Sequence, residues 1–309
     1  MHIKSAWAIN AAVRRHRDLL LLSLIRSRAH WHKITDMTST LPKLYFLHGN
    51  SYPAGTYSAF FAALSAHYDV DAAEMLGHNP AYPVKNGWAA LVRESIADLE
   101  RRYQREPVIV VGHSLGGMLS LMIAKKRPEL VRCVVMLDSP VVAGWRAFLW
   151  RAVQAAGLGA RFSPGRLSRR RRNLWPSAQA AYEHFAAKPM FAAWPPQVLR
   201  DYLEHGLEPH EKGVTLRFRR EVETAIYNSL PHHMGRLVKA RFPVPIGFIK
   251  GSDSQECRQA GMAATHTLVG DNFIEIAGTH LYPLESPAVA AAATHTMIVR
   301  LLAESGPHG

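Results

Sequence analysis

Gly112-His113-Ser114-Leu115-Gly116 sets a serine between two glycines at the spacing G-x-S-x-G. A serine hydroxyl is a poor nucleophile until a neighbouring base takes its proton. What this spacing offers is exposure. A tight turn from a strand into a helix would force Ser114 into strained backbone angles and lift its hydroxyl clear of the sheet, and the flanking glycines would remove the Cβ atoms that such a turn cannot hold. The N-terminus of the new helix would also favour negative charge developing beside the serine. The flanks fit this requirement. The apolar run Pro107–Val111 (PVIVV) reads as a buried strand, and Ser114–Lys126 reads as a helix stopped by Pro128.

The base and its acid are sought at the same end of the sheet. His280 follows the last strand run, in Gly278-Thr279-His280, and is the expected general base. A carboxylate must then fix its tautomer and stabilise the imidazolium. Two aspartates end strand runs before it: Asp253 in Gly251-Ser252-Asp253 and Asp138 in Asp138-Ser139-Pro140. Asp253 is the first choice and Asp138 the alternative, with Glu256 a more distant one. Two backbone N–H groups must receive the negative oxygen of a tetrahedral intermediate. Leu115, directly after the serine, should supply one. Asn50 in His48-Gly49-Asn50 should supply the other, with Ser51 as its alternative. His48 is expected to hydrogen-bond beneath that loop without a direct role.

These residues need a scaffold that brings strand ends together. Lys43–Leu47 (KLYFL), Tyr68–Met75, PVIVV, Arg132–Leu137, Pro245–Lys250 (PIGFIK) and Asn272–Ile276 read as strands. Helical spacing over Thr56–His67, Gly87–Arg105 and Ser286–Leu302 separates or follows them. Strands alternating with helices predict a parallel sheet covered on both faces, and continuous apolar runs suit strands buried on both sides. The alternation stops at Pro140 and resumes near Val244. The hundred residues between are rich in aromatics, among them Trp145, Phe148, Trp175, Phe185, Phe191, Trp194 and Tyr202, and are broken by prolines. They predict a set of short helices with one short strand at Val214–Phe218. Most of these aromatics should pack together, and the remainder should give the site an apolar lining.

The chain has 309 residues, 48% of them hydrophobic and 20% charged, a balance that supports a large core. Its net charge of +13 raises nucleic-acid or anionic-membrane binding as readings. The excess is concentrated in residues 1–36 and in a cluster of Arg166, Arg169, Arg170, Arg171 and Arg172. No nucleic-acid-binding signature accompanies it, so no nucleic-acid partner is expected. The arginine cluster reads first as a solvated loop; the alternatives are peripheral contact with an anionic membrane or with an acidic group on the substrate. Residues 1–36 are expected to lie outside the fold, since the run Leu19–Ile25 is far shorter than a membrane span. Cys133 and Cys257 make no disulfide framework, which favours a reducing, cytoplasmic setting. His232-His233 lacks a third ligand in view, so neither a metal site nor a cofactor is expected.

The spaced set His48-Gly49-Asn50, Gly112–Gly117, Gly251-Ser252-Asp253 and Gly278-Thr279-His280 resembles the α/β-hydrolase superfamily, in its branch of esterases, lipases and C–C bond hydrolases. The resemblance runs from about Leu41 to Leu302 and implies an α/β fold with an eight-stranded, mostly parallel sheet and a helical lid inserted after the sixth strand. It implies core segments at 37–140 and 241–309 and a lid at 141–240. Two features depart from the pattern: the two strands that commonly precede the first loop are not evident, and His-Gly-Asn stands where His-Gly-aromatic is more frequent. Serine in the motif is similar to ester hydrolases and unlike dehalogenases and epoxide hydrolases, which carry aspartate there. The expected activity is hydrolysis of a carboxylic ester or thioester of a hydrophobic small molecule. The alternatives are C–C bond hydrolysis on the same triad and a non-catalytic ligand-binding protein that reuses the fold.

Overall fold

The computed structural model describes residues 41–304 apart from 164 and 240, so the expectations for residues 1–36 lie outside the described residues. In chain order the core begins with β1 (Lys43–Leu47), α1 (Ser58–Leu64) and β2 (Asp69–Ala72). It continues with α2 (Ala89–Tyr103), β3 (Val108–His113), α3 (Leu115–Lys126) and β4 (Val131–Leu137). An insert follows, containing α4 (Gly144–Ala155), β5 (Leu174–Trp175), α5 (Pro196–Gly206), β6 (Leu207–His210), β7 (Gly213–Leu216) and α6 (Arg220–Asn228). The core closes with β8 (Ile246–Gly251), β9 (Phe273–Ile276) and α7 (Pro287–Glu304).

The main sheet has six strands in the order β2-β1-β3-β4-β8-β9, and every pairing in it is parallel. Six strands stand among the described residues where the resemblance implied eight. Burial explains the continuous apolar runs. Along β1, Leu44 and Phe46 enter one core while Tyr45 and Leu47 enter the other. In β4, Cys133, Val135 and Leu137 alternate in the same way with Val134 and Met136. A strand whose successive side chains point to opposite faces must be apolar throughout when both faces are covered. The first core is closed by α1, α7 and the insert; the second is closed by α2 and α3. β2 stops at Ala72, short of the expected Met75, and is the edge strand: Asp69 pairs with Lys43 and Asp71 with Arg102, charges that suit an unpaired edge.

The insert holds more strand than the single run expected at Val214–Phe218. β5, β7 and β6 form a three-stranded antiparallel sheet, and only β7 was foreseen. β6 and β7 are joined by Glu211-Lys212, and Pro209 is tolerated because β6 is an edge strand. Trp175, Phe185, Phe191, Trp194 and Tyr202 pack on one another, with ring centroids 4.7 Å apart for Phe191 and Trp194. Trp145, Phe148 and Leu149 instead lie exposed along one face of α4. Among the described residues no helix is long and apolar enough to cross a membrane.

Candidate active site

The turn at Ser114 follows from steric exclusion. β3 ends at His113, α3 starts at Leu115, and Ser114 sits between them with φ 54° and ψ −113°. A Cβ on Gly112 would fall 2.3 Å from the carbonyl carbon of Gly116, and one on Gly116 would fall 1.9 Å from the carbonyl oxygen of Leu47. Neither position accepts a side chain without moving backbone, so both motif glycines are required by contact. The strained serine is tied to β4: its N–H donates to Leu137 O at 3.0 Å, and Ser139 Oγ donates to its carbonyl at 2.8 Å.

Ser114 Oγ lies 3.0 Å from His280 Nε2, and His280 Nδ1 lies 2.8 Å from Asp138 Oδ1. Asp138 is fully buried and accepts three further hydrogen bonds, from Gly251 N–H at 2.8 Å, Ser254 Oγ at 2.5 Å and Cys257 Sγ at 3.4 Å. Burial alone would raise its pKa, but the hydrogen bond and charge of His280, with Ser254 and Gly251, outweigh burial and hold it below the ordinary value. Asp138 is therefore placed as an ionised partner for an imidazolium.

The aspartate that meets His280 is thus Asp138, not Asp253. Sheet order is the reason. β4 lies directly beside β3, and its register pairs Leu137 with His113, so Asp138 is level with Ser114. Asp253 follows β8, one strand further away. Its side chain is exposed and accepts from Ser252 Oγ at 3.0 Å, while its carbonyl accepts from Arg258. The loop after β8 still serves the site: through Gly251 and Ser254 it holds the Asp138 carboxylate. Glu256 Oε2 is 3.9 Å from His280 Nδ1, outside hydrogen-bond range.

The loop after β1 lies beside the serine turn because Leu47 pairs with Gly112. Leu115 N–H is in the first turn of α3, where no intrahelical acceptor exists. Asn50 is buried and its Nδ2 donates to the carbonyl of Glu223 in α6 at 3.2 Å. Ser51 has φ 77°, so this loop too is held in a conformation that side chains avoid. His48 lies beneath it: Nε2 accepts from Leu76 N–H at 2.8 Å, leaving Nδ1 to donate to Gly49 O at 2.8 Å. Burial drives its pKa down to about 4, so it is neutral at pH 7.

Sequence reasoning passed over His113 as more than a motif filler. Its Nε2 lies 2.9 Å from the carbonyl of His280, which can only accept, so Nε2 carries the proton. Nδ1 then accepts from the Tyr57 hydroxyl at 2.7 Å, and that hydroxyl accepts from Gly49 N–H at 3.2 Å. One buried imidazole therefore links the loop carrying His280 to the loop carrying Asn50. Burial first, and then the neighbouring His280, bring its pKa down to about 3. Position 113 inside the motif was visible; Tyr57, in an ordinary apolar segment, gave no signal. Glu223 was equally hidden, whereas Arg171 was visible as a member of the arginine cluster read first as a solvated loop.

The sequence profile of the alpha/beta hydrolase family matches residues 44–293. Among curated proteins, 2-(acetamidomethylene)succinate hydrolase from Mesorhizobium japonicum is 34% identical over 98 residues, 31% of this chain and 35% of that protein. The aligned part is thus about a third of that relative's length. Among solved structures, E-2-(acetamidomethylene)succinate hydrolase superposes with a TM-score of 0.64 at 24% identity, covering 84% of this chain and 92% of the other. A thioesterase domain from the curacin biosynthetic pathway superposes with a TM-score of 0.65 at 16% identity, covering 84% and 92%. Fold, strand order and sequence profile agree: the chain belongs to the alpha/beta hydrolase family.

Proposed function

We propose that this protein is a serine hydrolase that cleaves a carboxylic ester or thioester through Ser114, His280 and Asp138. The observation that carries the reading is the unbroken line Ser114 Oγ–His280 Nε2 and His280 Nδ1–Asp138 Oδ1, at 3.0 and 2.8 Å. The Asp138 carboxylate accepts a hydrogen bond from Nδ1–H, which keeps the proton on Nδ1 and the Nε2 lone pair facing the serine. As Ser114 Oγ attacks the carbonyl carbon, His280 Nε2 takes the hydroxyl proton, and the carbonyl oxygen gains the negative charge. Leu115 N–H and Asn50 N–H receive that oxygen. The tetrahedral carbon then expels the alcohol or thiol, which leaves with the proton from His280. Water, deprotonated by the same nitrogen, attacks the acyl-serine, releases the acid and returns the proton to Ser114. In this reading residues 141–240 form a lid, and their contacts with the loop after β1 support it: Tyr52 lies 6.0 Å from both Trp194 and Tyr202.

A fluorophosphonate probe together with short and long p-nitrophenyl esters tests the proposal. The expected result is stoichiometric labelling and turnover, both abolished in Ser114→Ala and retained in Ser139→Ala. A folded protein that neither labels nor turns over any ester would sink it. The second reading, C–C bond hydrolysis, uses the same triad. It gains support from the likeness to a hydrolase named for a substituted succinate and not for an ester. Labelling at Ser114 with cleavage of a vinylogous diketone but no ester would favour it. Labelling without turnover of either would leave the ligand-binding alternative.

A further inference from the structure

Between the loop after β1 and the insert lies a cluster of buried polar atoms without hydrogen-bond partners. They are Asn50 Oδ1, Ser51 Oγ and Arg171 Nε, and they flank an ion pair between Arg171 Nη2 and Glu223 Oε2. Buried polar groups in folded proteins are nearly always paired, because an orphan gives up its hydrogen bonds to water and gains none in return. Three such atoms gathered between this loop and the insert offer one donor and two acceptors to a polar group. The location ties them to the chemistry. Asn50 Nδ2 holds the Glu223 carbonyl at 3.2 Å, and Glu223 Oε2 lies 2.8 Å from Arg171 Nη2. That approach is a largely buried ion pair through one guanidinium nitrogen.

We infer that Arg171 is a recognition residue for a carboxylate carried by the substrate, which makes the substrate a monoester or monothioester of a dicarboxylic acid. The inference rests on the hydrolase reading above and names its substrate class. Nε and Nη2 form the edge of the guanidinium that meets a carboxylate with two parallel hydrogen bonds; on this edge Nε is unpaired and Nη2 meets Glu223 Oε2 alone. The electrostatic surroundings favour an anion. Glu223 is the nearest carboxylate, but Arg220 Nη1 donates to the Arg171 carbonyl at 2.8 Å, and Lys188 lies within reach of the Arg171 charge. Tyr52, Tyr202 and Tyr227 also lie within reach of the guanidinium, and Tyr227 reaches the Asn50 side chain. The lining here is thus more polar than the aromatic content of the insert suggested. Glu223 engages Nη2 and leaves Nε open, so an incoming carboxylate pairs with Nε and competes with Glu223 for Nη2.

The test compares ethyl hydrogen glutarate with ethyl butyrate, followed by pH-stat, in the full-length protein. The wild type is expected to favour the glutarate ester in kcat/KM. Arg171→Met should lower the ratio of the two kcat/KM values by about 10- to 100-fold, the range of one charge-assisted bidentate contact. Arg171→Lys, which keeps the charge without the fork, should fall between. Glu223→Gln should raise the ratio, because it removes the competing carboxylate, and glutarate should inhibit Arg171→Met less than wild type. If wild type labels at Ser114 and cleaves both esters equally, the carboxylate inference falls and the hydrolase reading stands. If the ratio is unchanged in Arg171→Met while Tm drops in both Arg171→Met and Glu223→Gln, the pair is structural and the inference is overturned. Absence of labelling and of turnover would remove the hydrolase reading itself.

Discussion

Asp138→Asn should abolish most of the activity, and the reason lies in which amide atom faces which neighbour. Gly251 N–H can only donate, and it points at Oδ2 from 2.8 Å. An asparagine must therefore put its oxygen at the Oδ2 position. Its NH2 group then occupies the Oδ1 position, facing His280 Nδ1 and Ser254 Oγ. The serine hydroxyl can rotate to accept, but Nδ1 can accept only by giving up its proton. His280 is then protonated on Nε2, the atom that in the proposed mechanism takes the proton from Ser114 3.0 Å away. A triad locked in the wrong tautomer loses about 10³- to 10⁴-fold in kcat, equivalent to about 4–5.5 kcal/mol of transition-state stabilisation. The assay is hydrolysis of a p-nitrophenyl ester by Asp138→Asn and Asp253→Asn side by side, with circular dichroism to confirm folding. Asp253→Asn should stay within about 3-fold of wild type, since the exposed Asp253 carboxylate meets Ser252 and not His280. Loss in Asp253→Asn with activity preserved in Asp138→Asn would refute the argument.

Two further outcomes follow from burial and contact. His48 and His113 are fully buried, with pKa values lowered to about 4 and about 3. The unfolded chain binds protons on both below pH 6.5, while the folded chain does not, so stability is full above that pH and falls as pH drops toward 4. Between pH 7 and 5 the two together cost about 3–4 kcal/mol, readable by urea unfolding at both pH values; His113→Gln should remove about half of that difference, and an unchanged difference would contradict the buried neutral imidazole. Gly116→Ala would set a Cβ 1.9 Å from the Leu47 carbonyl oxygen, so a loss of about 3 kcal/mol or more and weakened probe labelling at Ser114 are expected; a fully stable, fully reactive variant would contradict the packing described here.

The serine turn was legible because everything it needs is contiguous: a strand, a turn that tolerates no Cβ on either side, and a helix, all within Val108–Lys126. The alternating cores were legible for the same reason, since burial on both faces writes itself into each strand. His280 could be named because it follows the last strand. The acid could not be decided in this way. Asp138 and Asp253 both end buried strands in similar loops, and nothing local to either reports which strand lies beside β3. Sheet order settles it, and sheet order is set by how all six strands pack together. The same holds for His113 with Tyr57, 56 residues apart in sequence, and for Asn50 with Glu223, 173 apart. The sequence alone determined the turn at Ser114, because steric exclusion acts between near neighbours. Tertiary structure alone decided which aspartate meets His280 and which residues tie the surrounding loops together, because a hydrogen bond across the sheet leaves no periodic trace in either segment that makes it.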